Sequence, residues 1–350
     1  MGAAHSLDAL YGELWDDKVR RVRSESPHGR KPGWALLPII SKANDDVRQE
    51  VFVMQLIRFF ARVFPPSLWL RPYRILSTGP RSGLLEFLPN TQSLHALKRQ
   101  PGFGALDEHF RRHYGEAGSP AGATARLNFA RSLAGYSVVT YLLGIKDLHN
   151  GNIQLDREGH LIHIDFGFVL GSAPGGRAAL EHRAPFKLTR EMVDVLGGPE
   201  VIYSTLLNSS LLYSTLLSST RLDSTRLDST LFYSTLLCFY LLYSALLCST
   251  LQARLFRYTF VELCTAALRE ARAHAGTLLS LVEMTGYRSA MSCFAAGVEA
   301  PLQQLRERLM LDVPDDQLGA RVEALVALSY NNVYTRAYDE FQKWSNGIAH

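Results

Sequence analysis

Apolar positions along the chain fall into two rhythms. From Trp34 to Lys42 they run almost unbroken and end on a lysine, after a stretch from Ser26 to Gly33 that is punctuated by proline and glycine. An apolar run bounded by turn residues predicts a buried strand preceded by a loop. From Glu50 to Phe64 the apolar residues fall three and four apart, which predicts a helix with one buried face. Two shorter runs, Tyr73 to Leu76 and Leu84 to Leu88, predict strands, and Pro89-Asn90 marks a junction after the second. Leu127 to Gly144 is apolar nearly throughout and predicts a long supporting helix. Near the end, Ala337 to Ile348 places Tyr338, Phe341 and Trp344 at helix-compatible spacing beside Lys343. That pattern suits core packing and the headgroup layer of a membrane equally.

Between Val201 and Gln252 neither rhythm holds. Serine recurs at 204, 209, 214, 219, 224, 229, 234, 244 and 249, and no regular secondary structure has a five-residue period. Tyr-Ser-Thr-Leu-Leu can be written as three copies of the five bases TACTC. The segment reads as translated satellite DNA, either a retained intron or a low-complexity insertion. Ser229 to Gln252 is uncharged and long enough to cross a bilayer, but its serine, threonine and tyrosine content argues against a span. Removing the segment joins Gly197-Gly198 to Phe256-Arg257-Tyr258-Thr259-Phe260, and the flanking pattern becomes continuous.

The densest chemistry lies between the long helix and the repeat. Asp147-Leu148-His149-Asn150-Gly151-Asn152 is followed by a short apolar hairpin and then Asp165-Phe166-Gly167. Asp147 and Asn152 have the spacing of a kinase catalytic Asp and metal-binding Asn, and Asp165 opens a D-F-G triplet. Phosphoryl transfer needs mainly positioning and charge neutralisation. A carboxylate at the attacking hydroxyl, with an amide and a carboxylate on a divalent cation, covers those needs. Lys42, at the end of its predicted strand, is placed to reach a phosphate, with Asp46 or Glu50 available to orient it. His160 and His163 belong to the hairpin, His163 near the expected metal and His160 in a structural role; neither is assigned as a metal ligand.

The order D-x-H-N-x-N, with histidine after the aspartate, resembles the phosphatidylinositol 3-/4-kinase superfamily and not the protein kinases. Lys42 to Glu50, Gly159 to Phe168, Phe186-Lys187-Leu188-Thr189, Ser26-Pro27-His28-Gly29 and the closing Tyr338-Asp339-Glu340-Phe341-Gln342 with Asn346-Gly347-Ile348 narrow the likeness. The chain is similar to the type III phosphatidylinositol 4-kinases of the beta kind, over about Glu13 to Gly198 and Arg254 to Ile348.

The resemblance implies an α+β, two-lobed, protein-kinase-like fold, with an antiparallel sheet in the small lobe and a mainly helical large lobe. Residues 1–88 are expected to form the N-lobe and 89–350 the C-lobe, interrupted by 201–252. It implies ATP and Mg²⁺, with Mn²⁺ as the alternative metal. The Ser26 loop and Lys42 lie over the phosphates, Glu50 pairs with Lys42, Tyr73 lines the inner pocket, and backbone groups from Glu86 to Leu88 hold adenine. Asp147 and His149 serve the reacting hydroxyl, and Asn152 and Asp165 hold the metal. Arg177, Arg183 and Lys187 of the activation segment face an inositol lipid headgroup. The implied reaction makes phosphatidylinositol 4-phosphate at a membrane. Where the family has arginine between Asp147 and His149, this chain has Leu148. That substitution keeps an inactive nucleotide- or membrane-binding pseudokinase open, beside a related protein Ser/Thr kinase.

Composition agrees with this reading. The chain has 350 residues, 47% apolar and 20% charged, enough for a core in each of two lobes. A net charge of +4 without dense Lys/Arg runs gives nucleic-acid binding little support. Four cysteines form no disulfide framework and no secretory leader is read. The expectation is a cytoplasmic protein, peripheral on intracellular, Golgi-like membranes. Met1-Gly2-Ala3-Ala4-His5-Ser6 fits a myristoylation pattern. Regulatory partners are not indicated.

Overall fold

The computed structural model describes residues 7–174, 184–198 and 260–349. The repeat, the myristoylation pattern and Arg177 and Arg183 lie outside the described residues. Two helices come first, α1 (Leu7–Tyr11) and α2 (Trp15–Glu25). Tyr11 is buried and its hydroxyl lies 3.1 Å from that of Tyr114, while Arg157 pairs with Asp8 at 2.7 Å. These contacts dock the first described helix on Tyr114 and Arg157.

Strand β1 (Ile39–Ala43) is followed by α3 (Arg48–Val63) and the hairpin β2 (Ile75–Gly79) and β3 (Ser82–Glu86). The three strands are antiparallel in the order β1-β3-β2. Phe52, Val53, Leu56, Ile57 and Phe60 of α3 are buried, the stripe that its spacing predicts. Gly83 lets the start of α3 sit close to the sheet, because a Cβ there would come within 2.4 Å of a Val47 methyl. The run from Trp34 was expected to be a buried strand. Instead β1 begins at Ile39 and lies at the sheet edge, with Ile39 and Ile40 52% and 43% exposed. An edge strand lacks a neighbour on one side, and apolar residues alone do not bury it.

The chain leaves the first sheet at Glu86 and enters a second, β4 (Thr91–Ser93), β5 (Ile153–Asp156) and β6 (Leu161–His163), in that antiparallel order. Between β4 and β5 come α4 (Leu94–Lys98), α5 (Leu106–Tyr114) and α6 (Pro120–Leu143). The Ser119 hydroxyl accepts from Gly122 N–H at 3.1 Å and Pro120 occupies the first turn, so α6 starts sharply. It ends where Gly144 turns left-handed at φ 59° and bonds back to Thr140 and Tyr141. Buried residues such as Phe129, Leu133, Tyr136, Val139 and Leu142 make α6 the central post under the second sheet. Around it stand α7 (Arg190–Val195), α8 (residues 260–273), α9 (Ala275–Gly286), α10 (Glu299–Leu309), α11 (Leu318–Ser329) and α12 (Val333–Asn346). The architecture is the expected α+β pair of lobes, a small sheet with one helix and a mainly helical larger part.

Candidate active site

Register places Lys42. In β1, Ile40 and Lys42 share a face, and Lys42 lies opposite Gly83, so no cross-strand side chain crowds its amine. Its Nζ sits 3.0 Å from Glu50 Oε1 and 3.2 Å from Asp45 Oδ2. Of the two partners the sequence allowed, Glu50 is used; Asp46 pairs with Arg48 at 2.6 Å. Burial drives the Glu50 carboxyl up to about 7 against the pull of Lys42. Burial opposes charge on Lys42, yet the carboxylates of Glu50, Asp165 and Asp45 raise its pKa overall.

Lys42, Glu50, Tyr73, Glu86, Leu88 and Asp165 all line one cavity of about 170 Å³ between the sheets. Cavities of about 360 and 420 Å³ lie elsewhere, but neither gathers this chemistry, so donor type outweighs size. Tyr73 is buried, and burial drives its phenol far above the usual range. At the strand end, Glu86 N–H donates to Arg74 O (2.8 Å) and Phe87 N–H to Pro38 O (3.0 Å). The Glu86 carboxylate is held by Arg71 at 2.7 Å and Arg74 N–H at 2.9 Å. The backbone N–H groups of Glu86 and Phe87 are thus both engaged within the fold.

The loop after α6 sets the second group. Asp147 and Asp165 are both left-handed, with φ 67° and 60°, a strained state that surrounding contacts must maintain in a residue with a Cβ. Asn152 spends its amide N–H on Asp147 O at 2.9 Å, turning its carbonyl oxygen the other way. His149 accepts from Gly151 N–H through Nδ1 at 3.1 Å, and its Nε2 lies 3.9 Å from Asp147 Oδ1. Burial holds this imidazole below its ordinary pKa, with Asp147 pulling the other way. Burial also raises the Asp147 carboxyl, opposed by a hydrogen bond from Tyr338. Gln342 lies 3.5 Å from the same oxygen. Leu148 points into the core, 2% exposed.

Among the described residues no cluster of three or more His, Cys, Asp or Glu side chains forms a metal cage. One amide oxygen and one carboxylate, from Asn152 and Asp165, fit a hard cation whose other ligands are phosphate oxygens and water.

Three expectations fare differently. Ser26 does not line the cavity; it closes α2, where its hydroxyl accepts from His28 N–H and its carbonyl from Gly29 N–H. Arg23 donates to Gly29 O at 2.9 Å, so the loop is tied back to its own helix. Lys187 was expected to face a headgroup. It is 5% exposed and bonded to Asp339 at 2.6 Å, an ion pair that fastens the activation segment to α12. His163, expected near the metal, is buried beside Tyr136, and burial pushes it down to about 3. His160 stacks on Trp69 with centroids 4.0 Å apart and bonds Asp156, a structural role as expected.

Four contributors went unassigned in the sequence: Gln49, Tyr338, Asp339 and Gln342. The i, i+4 spacing of Tyr338 and Gln342 was the available signal, since it puts both on one helix face.

A family model described as phosphatidylinositol 3- and 4-kinase matches residues 37–239. Phosphatidylinositol 4-kinase of Dictyostelium discoideum is 38% identical over 342 residues, 97% of this chain and 24% of that protein. Phosphatidylinositol 4-kinase beta 1 of Arabidopsis thaliana is 38% identical, covering 97% of this chain and 26% of its own length. Phosphatidylinositol 4-kinase beta of Xenopus tropicalis is 34% identical, covering 96% and 35%. The chain thus spans about a quarter to a third of the length of the curated relatives it matches.

Proposed function

Because this chain belongs to the phosphatidylinositol 3- and 4-kinase family, we propose that it transfers the γ-phosphoryl group of ATP to the 4-hydroxyl of phosphatidylinositol. The observation that carries this is the meeting of Lys42, Glu50 and Asp165 in one cavity bounded by Leu88, with Asp147 and His149 beside it. Adenine lies against Tyr73 and takes the Leu88 N–H. Lys42, oriented by Glu50, binds an α- or β-phosphate oxygen. Asn152 and Asp165 hold Mg²⁺ or Mn²⁺, which when bound neutralises charge on the phosphates. Asp147 accepts the proton of the inositol hydroxyl as its oxygen bonds to the γ-phosphorus and the bond to the β-phosphate oxygen breaks, releasing ADP. The neutral imidazole of His149 donates through Nε2 to the transferring group.

Membrane contact belongs to the same proposal, since the acceptor stays in a bilayer. Phe341 and Trp344 on α12 are 49% and 85% exposed, while Tyr338 of the same helix turns inward. No helix among the described residues is long and apolar enough to cross a membrane. Surface attachment to an intracellular, Golgi-like membrane through this aromatic face suits that arrangement. Arg177 and Arg183 remain the candidates for the lipid phosphate.

Labelled ATP with phosphatidylinositol vesicles tests the proposal, using the chain with and without residues 201–252. Labelled phosphatidylinositol 4-phosphate that disappears in Asp165→Ala supports it. Label on peptides alone would favour a protein kinase, and nucleotide binding without either product would favour a pseudokinase.

A further inference from the structure

Gln49, one residue before Glu50 on α3, is 7% exposed and uses its whole amide. Its Nε2 donates to Phe166 O at 3.1 Å and to Gly167 O at 2.6 Å. Its Oε1 accepts from the Ser292 hydroxyl at 2.8 Å and from Cys293 N–H at 3.0 Å. A carboxamide offers two donor hydrogens and two acceptor lone pairs, so all four are spent, on two segments 117 and 243 or more positions away. We propose that Gln49 is a positioning residue for phosphotransfer, a two-sided latch that fixes the D-F-G loop to α3 and to residues 292–294.

The geometry gives the latch a specific target. Asp165 sits at φ 60°, a left-handed conformation that is disfavoured for a residue with a Cβ and persists where neighbouring contacts over-determine it. Gln49 pins the carbonyls of the two residues that follow Asp165. Successive residues on a helix point about 100° apart, so one turn of α3 aims position 49 at the D-F-G backbone and position 50 at Lys42. Cation-binding carboxylate and phosphate-binding amine are thereby registered to one rigid element. Beneath the latch Phe52 meets Phe294 with ring centroids 5.7 Å apart, and Phe166 is fully buried. The 292–294 segment is held against α3 by packing as well as by the amide. Without the donor face of position 49 the backbone after Asp165 relaxes, and its carboxylate loses its aim into the cavity.

The proposal rests on the phosphotransfer assignment, and its test separates the two. Gln49→Glu keeps the shape and the acceptor atoms but turns a carboxylate oxygen toward two carbonyls. Ser292→Ala removes one partner from the far side and leaves the helix intact. In the full chain, amide hydrogen exchange over residues 164–168 is expected to accelerate at least tenfold in Gln49→Glu, with exchange in β5 unchanged. The kcat is expected to fall at least tenfold, with a smaller change in the KM for ATP. Ser292→Ala is expected to show the same pattern at about threefold. Wild-type exchange and kcat in Gln49→Glu would overturn the latch, as would uniform acceleration across the large lobe. Should Gln49→Glu fail to fold, Ser292→Ala decides, and its wild-type behaviour overturns the proposal. The exchange result stands whether or not a phosphate acceptor is found, so a wrong assignment of the reaction shows itself as absent product with the exchange pattern intact.

Discussion

The phenol of Tyr338 donates a hydrogen bond to the carboxylate of Asp147, joining α12 to the catalytic loop across 191 positions of sequence. Lys187 and Asp339 form a second tie from the same helix to the activation segment. The last described helix therefore stands beside the candidate site, with Phe341, whose ring centroid lies 6.4 Å from that of Tyr338, and Trp344 exposed on its outer side.

Tyr338→Phe removes a bond that lowers the Asp147 pKa, leaving the burial that raises it. The carboxylate then stays protonated to higher pH, and a base must be unprotonated to act. The acid limb of the kcat profile is expected to move toward alkaline pH, with kcat near neutrality down about three- to tenfold, roughly the effect of 1 kcal/mol or slightly more. The KM for ATP should stay within about twofold. A pH–rate series on both proteins checks this; an unmoved limb would remove Tyr338 from the proton chemistry.

Glu50 gives a second pH dependence. Its folded pKa lies near 7, raised by burial from 4.5. The folded chain therefore binds the extra proton more tightly than the unfolded chain. Its stabilising contribution is complete below the unfolded value and is lost as pH rises through about 7. Orienting Lys42 needs the ionised form, so activity rises through the same window. Glu50→Gln is expected to keep or raise Tm at pH 8 by about 1–3 °C while lowering kcat/KM for ATP at least tenfold. Thermal melts and initial rates at pH 6 and 8 measure both effects.

Replacing Phe341 and Trp344 together by serine keeps Tyr338, Asp339 and Gln342 of α12 and removes from them only the Phe341 ring, centred 6.4 Å from that of Tyr338. Each aromatic ring that enters the bilayer interface contributes on the order of 1 kcal/mol, a part of its full burial value. Vesicle affinity is expected to drop about tenfold or more, while ATP affinity stays unchanged. Co-sedimentation with phosphatidylinositol vesicles reads the first, and nucleotide titration the second. Equal sedimentation of variant and parent would move the membrane face off this helix.

Leu148, between Asp147 and His149, is part of the buried core. Leu148→Ala is expected to destabilise the chain by roughly 2–5 kcal/mol through the cavity it leaves. Because Asp147 is its neighbour in a strained backbone state, kcat should fall more than the KM for ATP rises. Denaturant unfolding with parallel kinetics distinguishes this from a surface position, for which both would stay near wild type.

The legible part of the sequence was local. Whereas α6 starts at Pro120, seven residues before the apolar run at Leu127 that announced it, helical spacing in α3 and the five-position gap between Asp147 and Asn152 are both set within a few residues by backbone geometry. These are properties of a chain segment whatever it packs against. The choice of Glu50 over Asp46 for Lys42 was not legible, because both lie within reach along the sequence and only the docking of α3 on β3 at Gly83 decides between them.

The sequence by itself determined the helix of α3, the long helix before Asp147, the hairpin between Asn152 and Asp165 and the residue types available for phosphate and metal chemistry. Tertiary structure alone decided that β1 would lie at an exposed edge, that Ser26 would fold back on α2, and that Lys187 would be consumed by Asp339. It also brought Gln49 to the D-F-G carbonyls and Tyr338 to Asp147. The physical reason is common to all of them: burial and the pairing of buried polar groups depend on what arrives from distant parts of the chain, and no periodicity within a segment encodes the identity of that neighbour.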